Sequence, residues 1–241
     1  MVLLMGEMAD PVLANVCARL AARNADLILV HPESAVETTW NVAWSSDRGV
    51  VTDRLRIGRR GIRLSDVSAV YLRGVGSQSA TTSRERVALT CLWEFVESLP
   101  VLVVNRREGS HTNMSKPYQQ RLIAQHGFRT PKTLVTMIPE EARAFYDECE
   151  GRVIYKSVSS DRSIVRPLTP EDFPRLEQIR HCPVQLQEMI PGVDLRIHTV
   201  GKNRLFATEI RSEAADYRYV DREDKQRTMR AIELESDLEA R

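Results

Sequence analysis

The chain has 241 residues, 42% hydrophobic and 28% charged, which is enough for one large domain or two small ones. A formal charge of +1 excludes a global field that would draw in nucleic acid or an anionic membrane surface. No apolar run approaches the roughly 20 residues of a membrane span, and the short start Met1 to Met5, followed by Glu7 and Asp10, reads as a buried first strand rather than a signal peptide.

The opening reads as strand, helix, strand. Val2 to Met5 is apolar, Asp10 and Pro11 suit an N-cap and a first helical turn, and Val12, Val16 and Leu20 recur at helical spacing. Leu27 to Val30 is a second buried strand. Trp40 to Trp44 alternates weakly, and Val50 to Leu64, with Gly58 and Gly61, reads as a hairpin. Ala69 to Leu72 is a further strand. Thr82 and Glu85 form a capping box before a helix through Trp93 and Phe95, and Val101 to Val104 closes the unit. This alternation predicts an α/β, Rossmann-like domain over residues 1–104 with an open parallel sheet. Gly6 stands alone, so the glycine-rich dinucleotide fingerprint is missing.

A second unit, residues 105–241, follows. Ser115 caps a helix to His126 with Gly127 behind it, and Lys132 to Thr136 is a strand. A helix from Pro139 to Glu150 precedes the strand Arg152 to Lys156. Thr169 and Asp172 cap another helix, and Val184 to Met189 is a strand. Val193 to Val200 and Arg204 to Arg211 form a hairpin across Gly201-Lys202-Asn203. The tail from Asp221 reads as helical and charged. The cysteines Cys17, Cys91, Cys149 and Cys182 form no CxxC pair and read as small buried residues in a reducing cytoplasm.

Polar chemistry gathers in this second unit. Alternation puts Asp194, Arg196 and His198 on one side of their strand, and Glu209 and Arg211 share a side of the next. Two acids, two arginines and a histidine are thereby expected opposite an apolar face, a pattern that also fits a solvated face with ordinary ion pairs. Lys156 precedes Ser157-Val158-Ser159-Ser160-Asp161-Arg162-Ser163, where hydroxyls, amides and cations suit phosphates or simply make a polar loop. Lys116 at a helix start mildly favours an anion nearby. The histidines His31, His111, His126 and His181 lack metal-ligand spacing, and the basic residues Arg54 to Arg63 and Arg106-Arg107 have little aromatic interleaving, which disfavours nucleic acid.

The run Asn113 to Gln119, then Gly127 and Pro131-Lys132-Thr133, resembles the entry to the ATP-grasp core. So do Val153 to Lys156, Gln187 to Ile190, Pro191 to Arg196 and Asp216 to Tyr219, in the same order. The chain is similar to the RimK-like group, which includes glutathione synthetase-type and peptide-maturing ligases. The resemblance implies a pre-ATP-grasp domain (1–104) and an ATP-grasp core (105–241), the latter with a lid-type subdomain over about 113–184 and a second over 185–241. It implies that Lys116, Lys156, Arg162 and Ser163 contact phosphates and that Gln187, Glu188, Met189 and Ile190 form the adenine hinge. Asp194 would bind ribose, and Arg196, Arg211 and Arg218 would surround the transferred phosphate and acyl group. The implied function is a cytoplasmic, ATP-dependent ligase joining a carboxylate to an amine through an acyl phosphate. Its acceptor would be a small molecule or peptide bearing a carboxylate. Arg73 is a candidate for meeting that carboxylate, or else a surface residue. The alternative is a non-catalytic relative that scaffolds nucleotide or peptide.

The sequence departs from the family at two places. Serines stand where glycines often let a phosphate loop approach closely. Mg²⁺ is expected for the family, but no Glu-x-Asn run follows Tyr219, so no metal ligand is assigned and the core reads as incomplete at its C-terminus. Missing strands would leave a sheet edge open, which predicts a homo-oligomer or a partner.

Overall fold

In the computed structural model, the apolar runs of the first unit pair as a parallel sheet. The described residues are 1–47, 49–73, 82–159, 163–201, 204–222 and 225–234. The chain divides into a unit Met1–Ser110 and a unit His111–Arg241.

The first unit contains β1 (Val2–Met5), α1 (Pro11–Ala21), β2 (Leu27–Val30), β3 (Thr39–Ser45), β4 (Gly49–Ile57), β5 (Arg60–Arg63), β6 (Ala69–Leu72), α2 (Ser83–Glu97), β7 (Leu102–Val104) and the single turn α3 (Arg107–Ser110). The strand order β2-β1-β6-β7 is parallel throughout, as expected of strands alternating with crossover segments. β3, β4 and β5 form a separate antiparallel meander, turned between β4 and β5 at Gly58. Asp10 caps α1 through the Val12 and Leu13 amides, and the Thr82–Glu85 capping box opens α2. Leu3, Met5, Val70, Leu89, Leu92 and Val96 form the core, with Trp40 stacked on Phe95 at 5.1 Å. This unit runs past Val104 because Arg106 donates to the Glu97, Leu99 and Val101 carbonyls.

The second unit contains α4 (Lys116–Gln125), β8 (Thr133–Thr136), α5 (Pro139–Glu148), β9 (Val153–Ser157), β10 (Arg166–Pro167), β11 (Val184–Glu188), β12 (Asp194–Val200), β13 (Arg204–Ser212) and β14 (Arg227–Ile232). One antiparallel sheet has the order β10-β9-β11-β8, and Leu186, Val153, Ala142, Phe145 and Leu176 pack its core against α5. β11 is a strand of this sheet, so a division of the unit after residue 184 would cut through it. Residues Pro170–His181, capped by Thr169 and Asp172, wind as 3₁₀ turns rather than as an α-helix; Pro174 inside them lacks the N–H that an α-helical bond requires.

A second antiparallel sheet has the order β12-β13-β14. This corrects the helical reading of the tail over Arg227–Ile232, which is a strand paired to β13 from Ala207 to Ser212, while residues 235–241 of that tail lie outside the described residues. A second correction concerns the cysteines: Cys149 is buried, whereas Cys91 and Cys182 are exposed, and all four are free thiols.

Candidate nucleotide site

The second unit gathers cations from three separate segments. Ser115 caps α4, and the Lys116 amide donates to the Val158 carbonyl at 3.1 Å. The Lys116 ammonium donates to the Ser157 carbonyl at 2.8 Å and also to the Ser159 carbonyl. The start of α4 is thus fastened to the segment leaving β9, where phosphate binding was expected. Burial, then Lys156, then Arg218 push the Lys116 pKa down.

Lys156 rises from β9 and donates to Gln187 Oε1 on β11 at 2.8 Å. Gln187 in turn donates to Thr133 Oγ1 at 3.1 Å and to Gln120 Oε1 at 3.4 Å, which joins β8, β11 and α4. Burial and then Arg218 lower the Lys156 pKa. Glu188 accepts from the Lys132 amide at 3.4 Å. The chain leaves β11 with the Met189 N–H donating to the Arg152 carbonyl at 2.9 Å, and Met189 and Ile190 are exposed.

The third segment carries a residue that the sequence reading missed. The side chain of Asp216 is 3% exposed and takes Arg218 Nε at 2.8 Å and Nη2 at 2.6 Å. It also accepts the Val165 amide at 3.1 Å. Burial works against this carboxylate, but the Arg218 fork and the amides outweigh it, and the pKa is lowered. Arg218 Nη2 reaches the Ser163 carbonyl at 2.9 Å, so Ser163 contributes through its backbone. Arg162 lies outside the described residues. The sequence places Asp216 at the head of the run Asp216 to Tyr219, two residues before an arginine, but assigns it no role.

The register of the second sheet corrects the expected polar face. Asp194 pairs with Ile210 and Arg196 with Thr208, whereas Glu209 lies opposite Leu195. Cross-strand partners share a face, so Asp194, Arg196 and His198 stand on one face while Glu209 and Arg211 stand on the other, with Leu195 and Ile197. On its own face, Glu209 accepts from Arg211 at 2.9 Å and from Arg230 at 3.3 Å. Arg196 instead donates to the Tyr217 hydroxyl at 3.1 Å, beside Asp216 and Arg218 in sequence. The Asp194 carboxyl is partly withdrawn from solvent, and this, with the nearby Asp216 charge, pushes its pKa up.

The structure therefore brings Lys116, Lys156, Arg218, Asp216 and Asp194 into one electrostatic neighbourhood and leaves Arg211 outside it. Asp216 offsets one of three mutually repelling cations, and the remaining positive charge suits a polyanion. Among the described residues no group of three or more His, Cys, Asp or Glu gathers in a way that would hold a metal ion. In the first unit Arg73 Nε meets both Asp10 oxygens at 3.2 and 3.1 Å. An apolar cavity of about 420 Å³ opens between the 3₁₀ turns and the sheet and reaches β9 at Lys156 and Ser157. Leu168, Leu176, Ile179 and Leu186 line it, with Arg166 and Arg175 also in its wall. Among the described residues no helix is long and apolar enough to cross a membrane.

No protein-family model matches the chain, and no curated protein is a significant match to it. Solved structures share its fold. The ATP-grasp ligase PsnB, complexed with a phosphomimetic variant of minimal precursor, Mg and ADP, is similar with a TM-score of 0.77 at 22% identity, over 99% of this chain and 78% of that one. The macrocyclase MdnC from Microcystis aeruginosa MRC, bound with precursor peptide MdnA, gives 0.75 at 22% identity, over 100% and 81%. D-alanyl-alanine synthetase A from Vibrio cholerae O1 biovar eltor gives 0.59 at 10% identity, over 100% and 77%. The fold is that of the ATP-grasp ligases.

Proposed function

We propose that the chain binds ATP and joins a carboxylate to an amine. The observation that carries this reading is the convergence of Lys116, Lys156 and Arg218, drawn from α4, β9 and the segment after β13, within an ATP-grasp fold. Cations held close together without a full set of counter-charges favour a polyphosphate, which relieves their repulsion. The unit Met1–Ser110 is assigned as the pre-ATP-grasp domain and the unit His111–Arg241 as the core.

In this reading Lys116 and Lys156 hold phosphates, with Arg162 and Ser163 in the adjoining loop. Gln187 to Ile190 is the adenine hinge. Since the Met189 N–H is already engaged by Arg152, the ring edge is left to the Met189 carbonyl and to Ile190. Asp194 takes the ribose hydroxyls. A substrate carboxylate oxygen attacks the γ-phosphorus, the bond to the β-bridging oxygen breaks, and ADP leaves. An amine then adds to the acyl carbon, phosphate departs and the amine proton goes to solvent. Arg196 and Arg218 stabilise the charge that spreads over the phosphoryl oxygens, and no protein nucleophile is required. Mg²⁺ is expected for the family, where it would neutralise charge on the phosphates, and no protein ligand for it is assigned here. The acceptor is a small molecule or peptide with a carboxylate, and the site of action is the cytoplasm, in keeping with four free thiols. β12, exposed along its length with Leu195 and Ile197 on one face, supports a homo-oligomer.

ADP release measured against panels of carboxylates and amines tests the ligase. The reading predicts release that needs a carboxylate and rises with a matching amine. Nucleotide binding with no turnover on any acceptor favours the second reading, a nucleotide- or peptide-binding scaffold. The apolar cavity beside Arg166 and Arg175 supports that second reading, because it would take an apolar peptide side chain next to an acid.

A further inference from the structure

Gln185 is the second residue of β11, with 1% of its surface exposed, and neither its side-chain oxygen nor its nitrogen has a hydrogen-bond partner. Among the described residues no other buried side-chain polar atom is in this condition. Buried amides are nearly always paired, because burial removes the water that would satisfy them.

The register sets Gln185 directly across from Lys156 on β9 and from Val135 on β8. Residues opposite one another share a face, and bonds identify which face this is. Lys156 reaches Gln187, and Gln187 reaches Thr133. Gln185 lies one pleat from Gln187 on that side, while Leu186 between them faces the apolar core. Gln187 is satisfied by its protein neighbours and Gln185 is not.

We propose that Gln185 is a base-selecting residue of the nucleotide site, its side-chain amide completed by the N6/N7 edge of adenine. The inference rests on the reading of this face as the nucleotide site. A carboxamide presents one acceptor and one donor side by side. Adenine offers the complement, a donating N6 amine beside an accepting N7. Guanine offers O6 and N7, two acceptors, and sets an oxygen against the Gln185 oxygen. A phosphate also offers acceptors alone and would leave Oε1 unpaired. With the Met189 carbonyl and Ile190 assigned to the ring edge, Gln185 adds the N7 side.

The test is calorimetric affinity of the full chain for ATP, GTP and 7-deaza-ATP, in the wild type and in Gln185→Leu and Gln185→Met, with melting temperatures recorded without nucleotide. The wild type is expected to prefer ATP over both analogues, and the variants to lose about tenfold of that preference. Their melting temperatures without nucleotide should not fall, because an apolar side chain relieves the unpaired amide. Unchanged preferences in folded variants overturn the proposal, since the amide then meets water or nothing. Should neither variant fold, the wild type decides: equal affinity for ATP and 7-deaza-ATP overturns it, and a clear preference upholds it. Absence of any nucleotide binding by the wild type overturns the site reading itself, and the base-reading role with it.

Discussion

Asp216 holds both arms of the Arg218 guanidinium, at 2.8 and 2.6 Å, from a side chain that is only 3% exposed. This pair ties the segment after β13 to Ser163 and Val165 in the strand region after β9, and so fixes one of the three cations of the site.

Asp216→Asn should destabilise the second unit by about 1–3 kcal/mol at neutral pH, discounted from a fully buried pair because Arg218 is partly exposed. The folded pKa of Asp216 lies below its ordinary 3.8, so its contribution is present above that value and is lost as pH falls through the folded pKa. Denaturant titrations should show the gap between wild type and variant closing in acid. A gap that persists there would mean that the carboxylate charge is not what stabilises.

Much of this arrangement is legible in the sequence, and the failures have physical causes. Asp10, Thr82, Ser115 and Thr169 announce helix starts because capping is local chemistry. Lys156 and Gln187 are legible because a strand fixes the side to which each points. The split of Asp194 from Arg211 is not, since alternation within a strand says nothing of register between strands. That is set at the hairpin, where Val200 pairs with Arg204 and so even positions face even ones. β14 is illegible for the same kind of reason. Arg227–Ile232 is charged enough to read as helix, and the edge of β13 decides its state. Asp216 looks like one acid in a polar stretch until burial singles it out.

Lys116 and Lys156 both have pKa values pushed below the ordinary 10.5, by burial first and by neighbouring cations second. Their charged forms therefore disfavour the folded state at low pH, and that cost disappears as pH rises through the depressed values. An anion in the site reverses the balance by restoring charge. ATP affinity, measured by calorimetry from about pH 7 upward, should fall before an ordinary lysine would titrate. Affinity that stays flat up to the ordinary lysine range would contradict the placement of phosphates at these two residues.

Gly6→Ala tests the first unit. A β-carbon at Gly6, whose φ is +152°, would run into the Arg73 carbonyl oxygen and meet a Leu13 methyl at 2.9 Å. The main chain at Arg73, just past β6, cannot yield as a side-chain tip does, so a loss of about 1–3 kcal/mol in chemical denaturation is expected. A neutral substitution would show that β1 and β6 separate more easily at this end than the packing implies.

Arg211→Ala should leave nucleotide affinity unchanged, because Arg211 stands with Glu209 on the face away from Asp194. Arg218→Ala should weaken it severalfold or more, through the lost charge and the released Asp216. Fluorescence competition with a labelled nucleotide distinguishes the two, and equal losses would mean that both sheet faces serve the site.

The most direct test of the nucleotide site is the melting temperature of the whole chain titrated with ATP, with and without Mg²⁺, in the wild type, Lys156→Ala and Asp194→Ala. A ligand that binds the folded state alone stabilises it, by about 2.7 kcal/mol at a hundredfold excess over Kd. The account predicts a saturable rise with ATP in the wild type that is lost in both variants. A wild type whose melting temperature does not move at millimolar ATP, or variants that respond as it does, would contradict it.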